Sequence, residues 1–151
     1  MQIWQNYFLI FLLFYSLIAV FNGYNKCKEK KEAFEVTNLF IPLGAWVWGD
    51  VLVFGIFWFI VSATFLFILK NWYLFLLVTS IYWTVRSFGE INYWLNQQFS
   101  VIKKNPPKNL LFHNIFYNDS IWFIYQTVWQ CVAVLFIISS IYFSYIWLTN
   151  L

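Results

Sequence analysis

Three ionisable side chains lie inside long apolar runs of this sequence, and they are the residues whose types and spacing could do chemistry. Asp50 is the one charged residue in the run 39–69, and Arg86 and Glu90 are the two in the run 71–97. A charged group at the centre of a membrane helix costs about 2.5–3.5 kcal/mol on insertion scales, so we expect these side chains to find one another. Together they could form a structural ion-pair network. Alternatively, the surplus negative charge could hold a proton or a cation.

Two amides in a further apolar run, 120–148, extend this set. Gln126 and Gln130 are four residues apart, as are Arg86 and Glu90, so each pair projects from one face of a helix. At a rise of 1.5 Å per residue, the five groups lie about 9–16 Å inside their spans when depth is counted from Pro42, Gln97 and Ser120. The spacing therefore predicts one buried polar network in the inner leaflet, made of Asp50, Arg86, Glu90, Gln126 and Gln130. Tyr93 and Gln97 continue the stripe of Arg86 and Glu90, and Gly55 is expected to leave space for Arg86.

The composition shows what positions these residues. Of the 151 residues, 62% are hydrophobic, 26% are aromatic and 10% are charged, whereas a soluble domain carries about 25% charged residues. A membrane helix needs about 20 apolar residues, and the runs 3–21, 39–69, 71–97 and 120–148 meet that length. A barrel would need shorter segments of alternating polarity. We therefore predict an all-α, integral membrane four-helix bundle, with residues 1–151 as a single transmembrane domain. Ala45 and Gly49 are a small-xxx-small pair and a candidate helix contact.

The lysines predict the orientation of this bundle. Seven of them lie in the loops 22–38 and 98–119, and the opposite side of a four-span arrangement has only Lys70. Positively charged loops stay on the cytoplasmic side, so both loops are predicted to be cytoplasmic and both termini to lie on the outer side. The first run lacks a basic leading segment and a small-residue cleavage site, so we expect a retained helix rather than a signal peptide.

The motifs that the sequence lacks bound its function. It has no Cys-x-x-Cys, His-Glu-x-x-His, Gly-rich phosphate loop or Gly-x-Ser-x-Gly, so we expect no enzyme activity, no cofactor and no metal. The second loop has three lysines, too few for a phosphate track, so we expect no nucleic-acid partner. The expected partners are the lipid bilayer and either other membrane subunits or further copies of the chain.

Two functions fit these bounds. The first is a non-enzymatic scaffold or accessory subunit of a membrane assembly, in which the polar network fixes helix register. The second is a small oligomeric transporter or channel that uses the network as an ion or proton site. Catalysis or lipid recognition ranks third. Phe, Tyr, Ile, Asn, Lys and Met total 67 residues against 14 for Gly, Ala, Arg and Pro, which indicates an AT-rich genome and favours a bacterial or organellar inner membrane.

Overall fold

A computed structural model describes residues 1–28, 32–101, 104–110, 114–116 and 118–150, and within these ranges the chain is helical. Its long helices are α1 (Ile3–Cys27), α2 (Trp48–Thr64), α3 (Trp72–Phe99) and α4 (Ser120–Thr149). The predicted all-α class is confirmed. Three stretches of the described chain are long and apolar enough to cross a membrane: Ile3–Cys27, Trp48–Leu69 and Ser120–Thr149. The helix α3 has the length but a lower apolar content, because it carries Arg86, Glu90 and several amides.

The second helix begins later than the predicted span 39–69. Pro42 lies in a short 3₁₀ turn, Ile41–Leu43, and Gly44 follows with a φ of 77°. This left-handed conformation stops the turn and suits glycine, which has no Cβ to clash with the backbone. The chain is then extended at Val47 before α2 starts at Trp48. At its other end α2 continues as a π-helical turn, Phe65–Leu69, which stops at Lys70 with a φ of 47°.

The chain forms two compact units, Met1–Phe75 and Leu76–Leu151. In the first unit α1 and α2 run antiparallel and approach closely at two glycines. A Cβ added at Gly23 would lie 2.7 Å from the backbone nitrogen of Leu52, and one added at Gly55 would lie 3.1 Å from that of Val20. Small residues let the two backbones approach and so supply packing contact, the kind of attraction that operates between helices in lipid as well as in water.

The predicted contact pair Ala45 and Gly49 is wrong. Ala45 precedes the first residue of α2, so the two positions do not share a helix face. A Cβ at Gly49 would meet the carbonyl oxygen of Ala33 at 3.4 Å, which is an ordinary contact. The expectation that Gly55 leaves space for Arg86 stays a prediction, because Arg86 belongs to the second unit. Within the first unit, Val20 and Ala19 of α1 lie on the side on which a Cβ of Gly55 would stand.

Aromatic rings join the beginning of α1, the end of α2 and the first turn of α3 within this first unit. The centroids of Trp4 and Trp72 are 5.1 Å apart, and those of Phe8 and Trp72 are 5.8 Å apart. Phe65 and Phe75 meet edge to face at 5.5 Å. Edge-to-face pairs contribute about 0.5–1.5 kcal/mol beyond the apolar area that they bury.

The second unit is built on α3 and α4, which also run antiparallel. The rings of Trp94 and Tyr125 lie 4.6 Å apart, and those of Trp83 and Phe136 stack at 5.7 Å. The sum of the paired residue numbers is the same in both contacts, as an antiparallel pair requires. The buried core at this contact consists of Trp94, Ile121 and Trp122.

We predict that Gly23→Ala lowers the free energy of unfolding by about 1–3 kcal/mol, because the new methyl group would overlap the backbone of Leu52 and force the two helices apart. Denaturant titration of the protein in mixed micelles, followed by circular dichroism, measures the change. Gly49→Ala is the matched control, since a methyl group there meets only the carbonyl oxygen of Ala33 at an ordinary contact distance of 3.4 Å, and alanine favours the helix by about 0.5–1 kcal/mol. An equal loss in the two variants would contradict the close α1–α2 contact.

Candidate functional site

The central element of the predicted site is an ion pair within α3. A nitrogen of Arg86 lies 2.6 Å from a carboxylate oxygen of Glu90, and the two side chains are only 13% and 8% exposed. Their spacing of four residues puts them one helical turn apart, as the sequence predicted. The second carboxylate oxygen of Glu90 accepts a hydrogen bond of 3.1 Å from the indole nitrogen of Trp94. Both oxygens of this buried carboxylate are therefore engaged by α3 itself.

A second group of hydrogen bonds ties the following loop to α3 and α4 through Asn105. Its backbone nitrogen donates to the amide oxygen of Gln97 at 3.1 Å, and its carbonyl accepts from the indole of Trp122 at 2.9 Å. Its side-chain amide donates to the hydroxyl of Tyr93 at 2.5 Å. Tyr93 and Gln97 were predicted to continue the polar stripe, and both accept hydrogen bonds from Asn105. Asn105 was missed, although an asparagine directly before Pro106 and Pro107 is a typical turn signal.

Hydroxyl groups further along α3 bond to their own helix. Ser80, Thr84 and Ser87 donate to the carbonyls of Leu76, Ser80 and Trp83, one turn earlier, at 2.9, 2.9 and 2.7 Å. Among the described residues, every buried side-chain nitrogen or oxygen has a hydrogen-bond partner. This matters because a polar group buried without a partner costs free energy comparable to several such bonds.

The two glutamines of α4 differ in their placement. The side-chain oxygen of Gln126 accepts from the amide of Gln98 at 2.6 Å, which links α4 to α3. Gln130 is exposed instead. The residues of α4 that pack against α3 recur at helical spacing through Trp122, Tyr125 and Phe136. At about 100° per residue, Gln126 lies at the edge of that stripe and Gln130 lies beyond it.

Asp50 occupies a different position from the one that the sequence suggested. Counting from Pro42 put it about 12 Å inside a helix, but α2 starts at Trp48, so Asp50 lies in the first turn, about 3 Å along the axis. There its carboxylate accepts a hydrogen bond of 3.4 Å from the backbone nitrogen of Trp46. A carboxylate in the first turn also suits the positive end of the helix dipole. Asp50 belongs to the first compact unit, and its joining the pair of the second unit stays a prediction.

The chemistry open to this arrangement is limited by its charges. The guanidinium of Arg86 neutralises the carboxylate of Glu90 at contact distance, so the pair has no net charge of its own. Within the described ranges, no cluster of three or more His, Cys, Asp or Glu side chains could hold a metal ion. Cys27 and Cys131 are free thiols on different units. The arrangement is suited to fixing the register of α3 against α4.

Comparison with known proteins returned no match. No protein-family model, no curated protein and no solved structure is similar to this chain at the level that would establish a relationship.

We predict that Arg86→Ala lowers the free energy of unfolding by about 3–5 kcal/mol, because it leaves the buried carboxylate of Glu90 without its counter-ion. The double variant Arg86→Ala with Glu90→Gln should recover much of that loss, since no unpaired charge remains and the amide oxygen still accepts from Trp94. Gln130→Ala is the control and should change stability by less than about 0.5 kcal/mol, because its side chain is exposed. Failure of the double variant to recover would show that the pair does more than balance charge.

Proposed function

We propose that this chain is a multi-pass integral membrane protein without catalytic activity, and that it serves as a scaffold or accessory subunit of a larger membrane assembly. A bacterial or organellar inner membrane is the expected location. The surface through which the chain contacts another subunit is the outer half of α4, residues 134–149.

The exposure of α4 is the observation that carries this proposal. Of its 30 residues, only Ile121, Trp122 and Ala133 are buried, and none of residues 134–149 is. By contrast, α1 buries residues at helical spacing along most of its length, from Gln5 to Gly23. An apolar helix that its own chain leaves uncovered must face either lipid or another protein. The few contacts that hold it favour a partner, because packing is the main attraction between helices in a membrane.

The state of the ion pair supports a structural role for the polar network. An ion or proton site needs a group that can change partner or charge during transport. Glu90 is instead held by Arg86 and Trp94, and Gln97 by the loop that follows α3. The hydrogen bonds of Gln98 with Gln126 and of Asn105 with Trp122 join α3 and the loop after it to α4 and define their register, which is the best-attested use of buried polar groups. The transporter or channel is the alternative outcome of the test below.

The proposal includes passage of α3 through the membrane, although its apolar content is lower than that of the other long helices. Its 28 residues span about 42 Å, which exceeds the roughly 30 Å of the hydrocarbon core. Its charged residues are paired and its hydroxyls bond to the helix backbone, so its polar groups are compatible with a low dielectric. Four crossings place the termini on one side, and the lysine distribution makes this the outer side. Three of the seven loop lysines, Lys30, Lys31 and Lys103, lie outside the described residues.

Single-cysteine labelling in a background whose two native cysteines are replaced with serine tests this topology. We expect a membrane-impermeant maleimide added from outside to label Gln2→Cys and Asn150→Cys and to leave Lys28→Cys and Lys108→Cys unlabelled until the membrane is opened. If α3 lies along the membrane surface, Gln2→Cys and Asn150→Cys will label from opposite sides. That result would contradict the four-crossing arrangement.

Extraction in mild detergent followed by native mass measurement tests the role in an assembly. We expect the chain to leave the membrane with unrelated subunits in fixed stoichiometry. Ile138→Ala, at a position 59% exposed on the outer half of α4, should weaken that complex. Ile18→Ala is the matched control, since Ile18 is 53% exposed on α1 and should leave the complex intact. A homo-oligomer that conducts ions in proteoliposomes and loses conduction with Glu90→Gln would support the transporter instead, and a chain that is monomeric after extraction would contradict both functions.

A further inference from the structure

Residues 35–47, just before α2, fold back along α1 and α2 rather than continuing away from them. Val36 and Val47 pair in a short antiparallel bridge next to the start of α2, and the backbone nitrogen of Trp48 donates to the carbonyl of Glu35. We call residues 37–46, which this bridge closes off, the inner loop. The hydroxyl of Tyr15 on α1 donates to the carbonyl of Leu39, and the indole of Trp58 on α2 donates to that of Leu43 at 3.3 Å. The inner loop therefore contacts the middle of both helices.

Two counts give the depth that the inner loop reaches. Tyr15, which contacts Leu39, lies about 18 Å along α1 from the last residue of that helix, Cys27. Trp58, which contacts the tip, lies about 15 Å along α2 from Trp48. The helix and its π-helical turn, Trp48–Leu69, are apolar and long enough to cross a membrane. Because the side chain of a helix residue leans toward the N-terminus, the indole of Trp58 meets Leu43 about 10–15 Å along α2. With α2 across the bilayer, this depth is inside the hydrocarbon of one leaflet, since the whole core is about 30 Å thick.

The backbone of the inner loop is suited to such a place. Irregular backbone is tolerated at membrane depth only where its polar groups are paired within the protein or face water. At least six N–H groups of the inner loop are hydrogen-bonded within the segment or to α2, and Pro42 has no N–H to pair. The donors are Thr37, Leu39, Leu43, Gly44, Ala45 and Trp46. The carbonyls of Leu39 and Leu43 accept from the two aromatic side chains.

The side chains of the inner loop form two faces. Phe40, Leu43 and Ala45 are fully buried, and the ring of Phe40 contacts those of Tyr15 at 5.5 Å and Trp48 at 6.0 Å. The other face leaves apolar side chains uncovered, with Leu39 63% and Ile41 41% exposed. The chain from Val36 to Gly49 contains no charged residue, and the charges Glu35 and Asp50 flank it on either side. Charges are thus kept from the part of the loop that lies deepest.

We propose that the inner loop is a re-entrant segment of the membrane domain, and that Leu39, Ile41 and Pro42 contact the acyl chains of the leaflet in which α1 ends and α2 begins. The bonded backbone, the uncharged sequence and the depth of the tip all match this lipid environment. The inference rests on the proposed passage of α1 and α2 through the membrane.

Spin labels on single cysteines in lipid vesicles test the inference. Collisions with oxygen, which concentrates in hydrocarbon, are compared with collisions with a water-soluble nickel chelate. We expect the oxygen-to-nickel ratio at Ile41→Cys to match that at Ile18→Cys, an exposed mid-helix position on α1, and to exceed that at Lys28→Cys several-fold. Leu39→Cys is a second site on the same face, in case one variant fails to fold.

The possible outcomes distinguish an error in the position of the inner loop from an error in the passage of the helices through the membrane. A high nickel accessibility at Ile41→Cys and Leu39→Cys, with Ile18→Cys still in hydrocarbon, would place the loop in water and overturn the inference while leaving the spanning helices intact. Low accessibility to both reagents would show that protein rather than lipid covers the loop, and would also overturn it. Nickel accessibility at Ile18→Cys would contradict the proposed passage of α1 through the membrane, and with it the proposed function.

Discussion

Pairing of polar groups without water is the constraint on which this structure depends. In a hydrocarbon environment, no water is present to hydrogen-bond an N–H, carbonyl, hydroxyl or charge that lacks a partner in the protein. The helices satisfy their backbones internally, and the side chains follow the same rule. One carboxylate oxygen of Glu90 pairs with Arg86 and the other accepts a hydrogen bond from Trp94. The hydroxyls of Ser80, Thr84 and Ser87 donate hydrogen bonds to carbonyls one turn earlier. Described residues outside the helices are hydrogen-bonded to neighbouring helices, as the inner loop is to Tyr15 and Trp58 and as Asn105 is to Trp122.

Helix association in this chain has two different physical origins. The first unit relies on close backbone approach at Gly23 and Gly55 and on the ring cluster at the other end of α1. The second unit relies on large aromatic side chains together with hydrogen bonds, as in the stacking of Trp83 on Phe136 and the amide pair of Gln98 and Gln126. Both kinds of contact hold helices together by packing and hydrogen bonds, which remain available in a lipid environment where burial from water gives no attraction.

Much of the helical architecture was predictable, because apolar composition and the spacing of polar residues can be read directly from the sequence of one segment. The pairing of Arg86 with Glu90 followed from a spacing of four, and Tyr93 and Gln97 followed from the same stripe. The start of α2 was not predictable in this way. An apolar stretch has the same composition whether its backbone continues as a helix or turns back partway. Here the helix starts only at Trp48 because the turn before it ends at Gly44 in a left-handed conformation. The exposure of Gln130 depends on which stripe of α4 meets α3, which one helix cannot reveal by itself.

The glycine contacts between α1 and α2 have a consequence for how this gene can change. Glycine codons are rich in G and C, and the bias of this sequence toward AT-rich codons has left only 5 glycines in 151 residues. Gly23 and Gly55 stand where any Cβ would crowd the neighbouring helix, and Gly44 stands where the backbone turns left-handed. Mutational drift can exchange one apolar side chain for another along the exposed apolar surfaces of the helices at little cost. At these three codons a change from glycine to any other residue is opposed by a steric clash or backbone strain, so we expect selection to keep GC-rich codons there against the AT-rich bias of the gene.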